Sequence, residues 1–442
     1  MAGAVRLMFP GSFMMGAQDR LLPPSVPYRF FAAATVFHVL GWAALLAADP
    51  AEALGFRGGE GLVLAALHLI TLGVLAMSAM GAGIQLLPVA TRRRLGPVWA
   101  CKLMFWLFTP GVASLALGFA WSSTPARHLG ATLAAAGLAI FGGLVAANLR
   151  QVDDLPGVTR HAWLAVASLL VLAVLGLVLV ADFGLGFLPD RAGVAAAHAV
   201  LAGYGFMGML AMGFSTVLIP MFVLGQPVPD AVGRKTSALA GAALALGATG
   251  AWLGLGWLQA VAVVAGAAAL GLHLRAVRTT VKSRMRKKLE PFFRTVVLGW
   301  ALQVASLAAA LALALGAPAD PVATLWAFLM VFGWLLTFVL GILQRIMPFL
   351  ASMHSSGVGG KPVLLSALVA EMPLKIHLAC HAGALALIAL AVVAGQAWAM
   401  RLGAAAGLAG SLSFATFAVL VLKRYRAHLA AQSLPPKQQQ GQ

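Results

Sequence analysis

Cysteine is almost missing from this chain: two residues, Cys101 and Cys380, occur among 442. Both sit in apolar stretches far apart in sequence, so neither a disulfide framework nor a cysteine-based zinc motif is available. Charge is scarce as well. Asp, Glu, Lys and Arg make up 10% of the residues, where a soluble domain carries about a quarter. Acids are the scarcest, 12 against 30 Lys and Arg, and no two carboxylates are paired in the middle of an apolar stretch. That argues against a carboxylate-driven pump. The first residues, up to Ala17, lack a long apolar core, and Pro23, Pro24 and Pro27 follow, so they do not read as a cleavable signal peptide.

What the chain has in abundance is apolar surface. Hydrophobic residues make up 61% and the mean hydropathy is +0.94. No water-soluble fold hides that much, whereas a bilayer removes the need to. Twelve apolar stretches run roughly over 28–48, 60–88, 97–121, 127–149, 161–182, 192–225, 235–254, 256–275, 292–316, 320–350, 371–395 and 401–423. Each reaches the roughly 20 residues that cross a hydrocarbon core of about 30 Å. The expected fold is an all-α polytopic membrane protein. An N-terminal segment (1–27) leads into a bundle (28–424), and a disordered tail (425–442) follows.

The formal net charge of +18 invites a nucleic-acid partner, but its distribution rejects one. Basic residues cluster between apolar stretches, as at Arg92–Arg94 and in the run from Arg275 to Arg294, which holds eight Lys/Arg and one acid, Glu290. With the N-terminus inside, the outer connections hold only Arg57, Arg127, Arg191 and Arg401 among Lys and Arg, beside Asp49, Glu52, Glu60, Asp182, Asp190 and Asp320. By the positive-inside rule both termini are expected in the cytoplasm, with the chain spanning the inner (cytoplasmic) membrane and the lipid bilayer as its first partner.

The second, sixth and tenth stretches share a pattern. Gly73, Gly81 and Pro88, then Gly205, Gly213 and Pro220, then Gly333, Gly341 and Pro348 each read G-x7-G-x6-P. The first glycines are 132 and 128 residues apart (205 − 73 and 333 − 205). Four stretches fit each interval, so three four-helix units are expected, at about 28–150, 160–277 and 292–424. Glycines eight apart share a helical face, making a smooth stripe for a neighbouring backbone or a flat cofactor. The proline is expected to end or kink the helix.

Histidine carries the chemistry that acids do not. Neutral imidazole is cheaper to bury and ligates haem iron and copper. His68 and His198 fall in the outer parts of the second and sixth stretches, and His38 near the middle of the first. All three are expected in the outer half of the bundle. At ordinary helical phase His68 and His198 differ by about 200° relative to their repeat glycines. His377 and His381, four apart near the inner end of the eleventh stretch, share a face and form a candidate metal pair. Without Glu between them they lack the metalloprotease pattern, and they are expected too far from His38 and His68 to complete one centre. His128, His161, His354 and His428 are expected to meet water, and His273 the interface. Met77, Met80, Met207, Met209 and Met212 are soft donors that more often fill cores. Arg345, beside Gln344, is placed to snorkel or to meet an anion such as a haem propionate.

Twelve helices in three units, with His68 and His198 on the second and sixth, resemble the catalytic subunit of haem–copper oxidases. Tyr28-Arg29-Phe30-Phe31 with His38 and Trp42, and His68-Leu-Ile-Thr-Leu-Gly73 continuing to Gln85-Leu-Leu-Pro88, resemble the first two helices of the NnrS family. These membrane proteins are linked to haem, copper and nitric oxide stress in denitrifying bacteria. The resemblance implies haem b or copper held through His68, His198 and His38. It also implies a role in electron transfer, metal handling or nitric oxide tolerance, with a redox protein or respiratory-complex subunit as partner. The chain departs from the oxidase pattern where it matters for oxygen. The seventh stretch from Ser237 to Gly254 and the tenth from Val322 to Leu350 contain no histidine, and His198 is followed by Ala-Val-Leu. A conventional oxygen-reducing centre is therefore not expected. Two other readings stand beside this one: a repeat-built transporter whose histidines are structural, and a noncatalytic subunit of a respiratory complex.

Overall fold

The computed structural model describes residues 20–355 and 362–432. Among these, eleven helices are long and apolar enough to cross a membrane. They are α1 (Ser25–Ala47), α2 (Leu62–Thr91), α3 (Val98–Ala120), α4 (Thr124–Leu149), α5 (Pro156–Leu185), α6 (Arg191–Val223), α8 (Gly256–Lys282), α9 (Phe292–Ala314), α10 (Ala319–Ser355), α11 (Glu371–Ala394) and α12 (Ala397–Gln432). The remaining expected span forms as α7 (Asp230–Trp252), with Asp230, Arg234 and Lys235 at its start. The chain is a multi-pass, all-α membrane protein. Helix α12 continues through residues 425–432, which the sequence had assigned to the disordered tail; 433–442 and 1–19 lie outside the described residues.

Helices α2, α6 and α10 stand at the centre. The most apolar windows of these three are 67%, 72% and 61% buried, against 22% to 50% for the other eight spans. They line a common apolar cavity of about 70 Å³. Around them, α3 with α4, α7 with α8 and α11 with α12 pack as antiparallel hairpins. The turns of the last two contain Gly254 and Gly395 at φ of 66° and 65°, a conformation that a side chain would strain. The ring closes where α4 meets α5, α8 meets α9 and α12 meets α1.

Each central helix is interrupted by a π-helical segment: Thr71–Ala76, Leu201–Met207 and Leu329–Leu336. The three repeat glycines Gly73, Gly205 and Gly333 lie inside these segments. The glycine stripes are filled by the preceding helix, not left for a cofactor. Gly73 and Gly81 receive Phe37, Phe30 and Phe31 of α1. Gly205 and Gly213 receive Ser168 and His161 of α5. Gly333 and Gly341 receive Leu302, Val296 and Thr295 of α9. Pro88 and Pro220 lie inside helices that end soon after, at Thr91 and Val223, and Pro348 lies inside α10, which is described as far as Ser355.

The end of the bundle where α1 begins carries the Lys/Arg clusters and is called the basic end. At the other, acidic end, three of the four expected basic residues are neutralised: Arg57 pairs with Asp320, Arg127 with Glu60, and Arg191 with Asp182 at 2.7 Å.

Candidate functional site

The arcs of the ring enclose chambers against the central helices. One lies among α2, α3, α4, α5, α6 and α10 and has a volume of about 180 Å³. Its walls are mostly Leu, Ala, Val and Phe, and His68 and His198 both line it. His68 comes from α2 and His198 from α6, each a few residues before its π-helical segment.

Both rings are oriented by backbone carbonyls. His68 Nδ1 lies 3.0 Å from the oxygen of Leu64, one turn back, and His198 Nδ1 lies 2.9 Å from that of Leu172 on α5. A carbonyl only accepts, so in each neutral ring Nδ1 carries the hydrogen and Nε2 keeps its lone pair. No second hydrogen bond to either ring is made by the described residues. A side chain at Gly176 would press on His198 Cε1, so glycine there gives the imidazole its room. His68 packs against Phe119 with ring centres 4.9 Å apart. Phe119 leads to Phe183, against which the ion-paired Arg191 and Arg127 stack at 3.7 and 5.2 Å. This aromatic and guanidinium layer lies toward the acidic end from the imidazoles.

Met207 of α6 and Met330 of α10 line the same chamber. Met330 was not singled out from the sequence; its sulfur packs where a side chain at Gly203 would stand. The chamber thus gathers two imidazoles and two thioethers on three central helices.

His38 is not part of this group, contrary to the sequence expectation. It faces α11 and α12, where its ring centre is 6.2 Å from that of His377, and His377 stacks on His381 at 5.5 Å. The expectation that His377 and His381 lie far from His38 is corrected by the same contact. The cause is the packing of α12 and α11 back onto α1, which joins the two ends of the chain. Trp42 Nε1 donates to His38 Nε2 at 3.1 Å, so His38 carries its hydrogen on Nδ1, which is buried without a partner. His377 Nδ1 bonds the Gly410 carbonyl at 3.0 Å, leaving a buried, unpartnered lone pair on Nε2. His381 Nε2 lies 2.7 Å from Thr337 Oγ1. Trp42, Phe332 and Phe414 pack around the group.

Arg345 meets neither histidine group. Its guanidinium bonds Glu290, in the α8–α9 connection, at 2.8 Å and lies over Phe222. It is a partly buried protein ion pair, and Arg286 shares the same carboxylate. His161 and His273 are buried rather than wetted, with His161 Nε2 3.4 Å from Thr236 Oγ1.

Among the described residues no group of three or more His, Cys, Asp or Glu is arranged to hold a metal ion. Any metal in the chamber of His68 and His198 would therefore draw on the methionines or on exogenous ligands. No protein-family model matches the chain, and no curated protein matches it in sequence.

Proposed function

We propose that this chain is a copper-binding membrane protein that holds Cu(I) between His68 and His198, with Met207 and Met330 as the soft donors beside them. The observation that supports this most is the pair of imidazoles with Nδ1 fixed by carbonyls and Nε2 unpartnered on the wall of one chamber. Imidazole with thioether is a donor set for Cu(I), which tolerates low coordination and an apolar surround. Copper bound there supplies one-electron chemistry. The protein's part is to fix the imidazole tautomers through the Leu64 and Leu172 carbonyls, to keep water out with Phe119, and to hold the donors on central helices.

Haem suits the chamber less well. An apolar cavity of about 150 Å³ accommodates a single benzene ring, and 180 Å³ is small for a four-ring macrocycle. Arg345, the residue considered for a propionate, is held by Glu290. The role that follows is copper handling or electron transfer at the inner membrane. The Lys/Arg asymmetry supports a cytoplasmic basic end, and the three central π-segments support descent from a threefold repeat.

The test is titration of the reduced, purified protein with Cu(I) against a colorimetric chelator. One equivalent is expected. His68→Ala and His198→Ala are each expected to weaken binding at least about tenfold, because alanine offers no ligand in their place. His38→Ala is expected to bind as the parent does. Unchanged affinity in both chamber variants would refute the proposal.

A further inference from the structure

A second chamber lies on the other side of α6, among α6, α7, α8, α9 and α10, with a volume of about 240 Å³. It contains no histidine, and the proposed copper chemistry makes no use of it. Much of its wall is made of small residues, including Ala240, Ala243, Gly247, Ala262, Gly266 and Ala269 on the α7–α8 hairpin. The opposite wall is aromatic. Tyr204 stacks on Trp334, with ring centres 5.4 Å apart and planes 29° from parallel.

That aromatic wall is fixed by a chain of hydrogen bonds whose direction is set at both ends. Trp326 Nε1 donates to the Tyr204 hydroxyl at 3.2 Å, and the Ser306 hydroxyl donates to the Gln303 carbonyl at 2.8 Å. The 3.0 Å contact between Tyr204 and Ser306 must then run from Tyr204 to Ser306. Gln259 bonds the Gly250 carbonyl through its amide nitrogen at 3.0 Å. Gln303 is different. It is 5% exposed, it lines the chamber, and its side-chain amide makes no hydrogen bond to any described residue. Its amide is not fully enclosed, as those of Gln85 and Gln344 are, but opens onto the apolar chamber, where a ligand entering the chamber can supply the missing partner.

We propose that this chamber binds a membrane-soluble, flat ring compound bearing a carbonyl group, with Gln303 donating to that carbonyl and Tyr204 and Trp334 providing the face on which the rings lie. The size points to two fused rings, since about 150 Å³ accommodates one benzene ring and the chamber is larger by more than half. Water is a poor occupant, because each molecule needs two to four polar partners and the wall is chiefly Ala, Val, Leu, Gly and Met. The route is through lipid. Helices α8 and α9 are among the least buried spans, 28% and 22%, so this side of the chamber faces the bilayer, from which such a compound would partition. The proposal does not depend on copper.

The experiment uses the full chain in lipid nanodiscs and a matched pair of probes, 2-acetylnaphthalene and 2-ethylnaphthalene, which differ in the carbonyl. Equilibrium dialysis measures binding, with empty nanodiscs subtracting partition into lipid. Saturable binding of both is expected, with the ketone tighter. Gln303→Leu is expected to weaken the ketone about three- to tenfold, the value of one neutral hydrogen bond, and to leave the hydrocarbon unchanged. Ala243→Phe fills the chamber from α7 and is expected to abolish binding of both. The proposal is overturned if the ketone binds Gln303→Leu as tightly as the parent, or if Ala243→Phe binds like the parent. It is equally overturned if neither probe displaces a lipid chain that co-purifies in the chamber.

Discussion

Gly407 of α12 offers a quantitative test of the packing around the His38 group. A β-carbon placed there would clash with the six-membered ring of Trp42, at Cδ2, Cε3 and Cζ3. Trp42 has little freedom to yield. It is fully buried, its indole N–H is bound to His38 at 3.1 Å, and its ring packs on Phe332 with centres 5.2 Å apart. Forcing one carbon into so closed a site costs about 1–3 kcal/mol. Replacing a helical glycine by alanine also stabilises the helix by about 0.5–1 kcal/mol, which would mask part of the clash. Gly383 of α11 provides the correction, because it also lies within a helix and a β-carbon there meets nothing within 4 Å. The difference between Gly407→Ala and Gly383→Ala therefore isolates the clash, with Gly407→Ala less stable by about 1–3 kcal/mol. Unfolding by SDS in mixed micelles, followed by tryptophan fluorescence, measures it. Equal midpoints for the two variants would refute the packing described for Trp42, and with it the orientation of His38.

Three further outcomes follow from the same geometry. His38 Nδ1–H and His377 Nε2 are a buried donor and acceptor whose ring centres, 6.2 Å apart, are too distant for a direct hydrogen bond but suit one bridging water. A map at high resolution should show that water, and a dry gap would contradict the tautomers assigned here. Arg345→Gln, which leaves Glu290 in a partly buried site without its inner partner, is expected to destabilise the protein by about 1–2 kcal/mol in the same SDS assay, between the values for exposed and buried pairs; Arg286→Gln, at a more exposed guanidinium, should cost less, and the reverse order would refute the reading. Single cysteines near Arg284 and near Glu52 should be labelled from opposite sides of sealed vesicles, the first from the cytoplasmic side; labelling with the sides exchanged would invert the assigned orientation.

The spans were legible because the bilayer requires long apolar runs, and each of the twelve expected stretches is matched by a helix within a few residues at most ends. The shared chamber of His68 and His198 was partly legible. Their difference of about 200° in helical phase looked like a mismatch between equivalent positions. The structure nevertheless has both side chains line one chamber, from the neighbouring central helices α2 and α6. The π-helical segments that follow each histidine were not legible, since counting at 100° per residue assumes an unbroken α-helix. The glycine stripes were legible as close-packing surfaces, but only the structure shows that Phe37, Ser168 and Leu302 fill them. His38 and His377 could not be joined by reading along the chain, because their contact depends on α11 and α12 returning to α1. Thr337 and Trp42, which engage His381 and His38, carry no spacing signal toward those partners. Glu290 beside Arg345 was hidden in a basic loop read for its charge alone.

The central claim is that copper sits between His68 and His198 with sulfur beside it, and X-ray absorption at the copper edge tests it most directly. The reduced, copper-loaded protein should show imidazole scattering together with a sulfur shell. The sulfur should be lost in Met207→Leu with Met330→Leu, and the imidazole signal in His68→Ala with His198→Ala. Imidazole scattering that survives removal of both His68 and His198, or a parent spectrum without sulfur, would contradict the account.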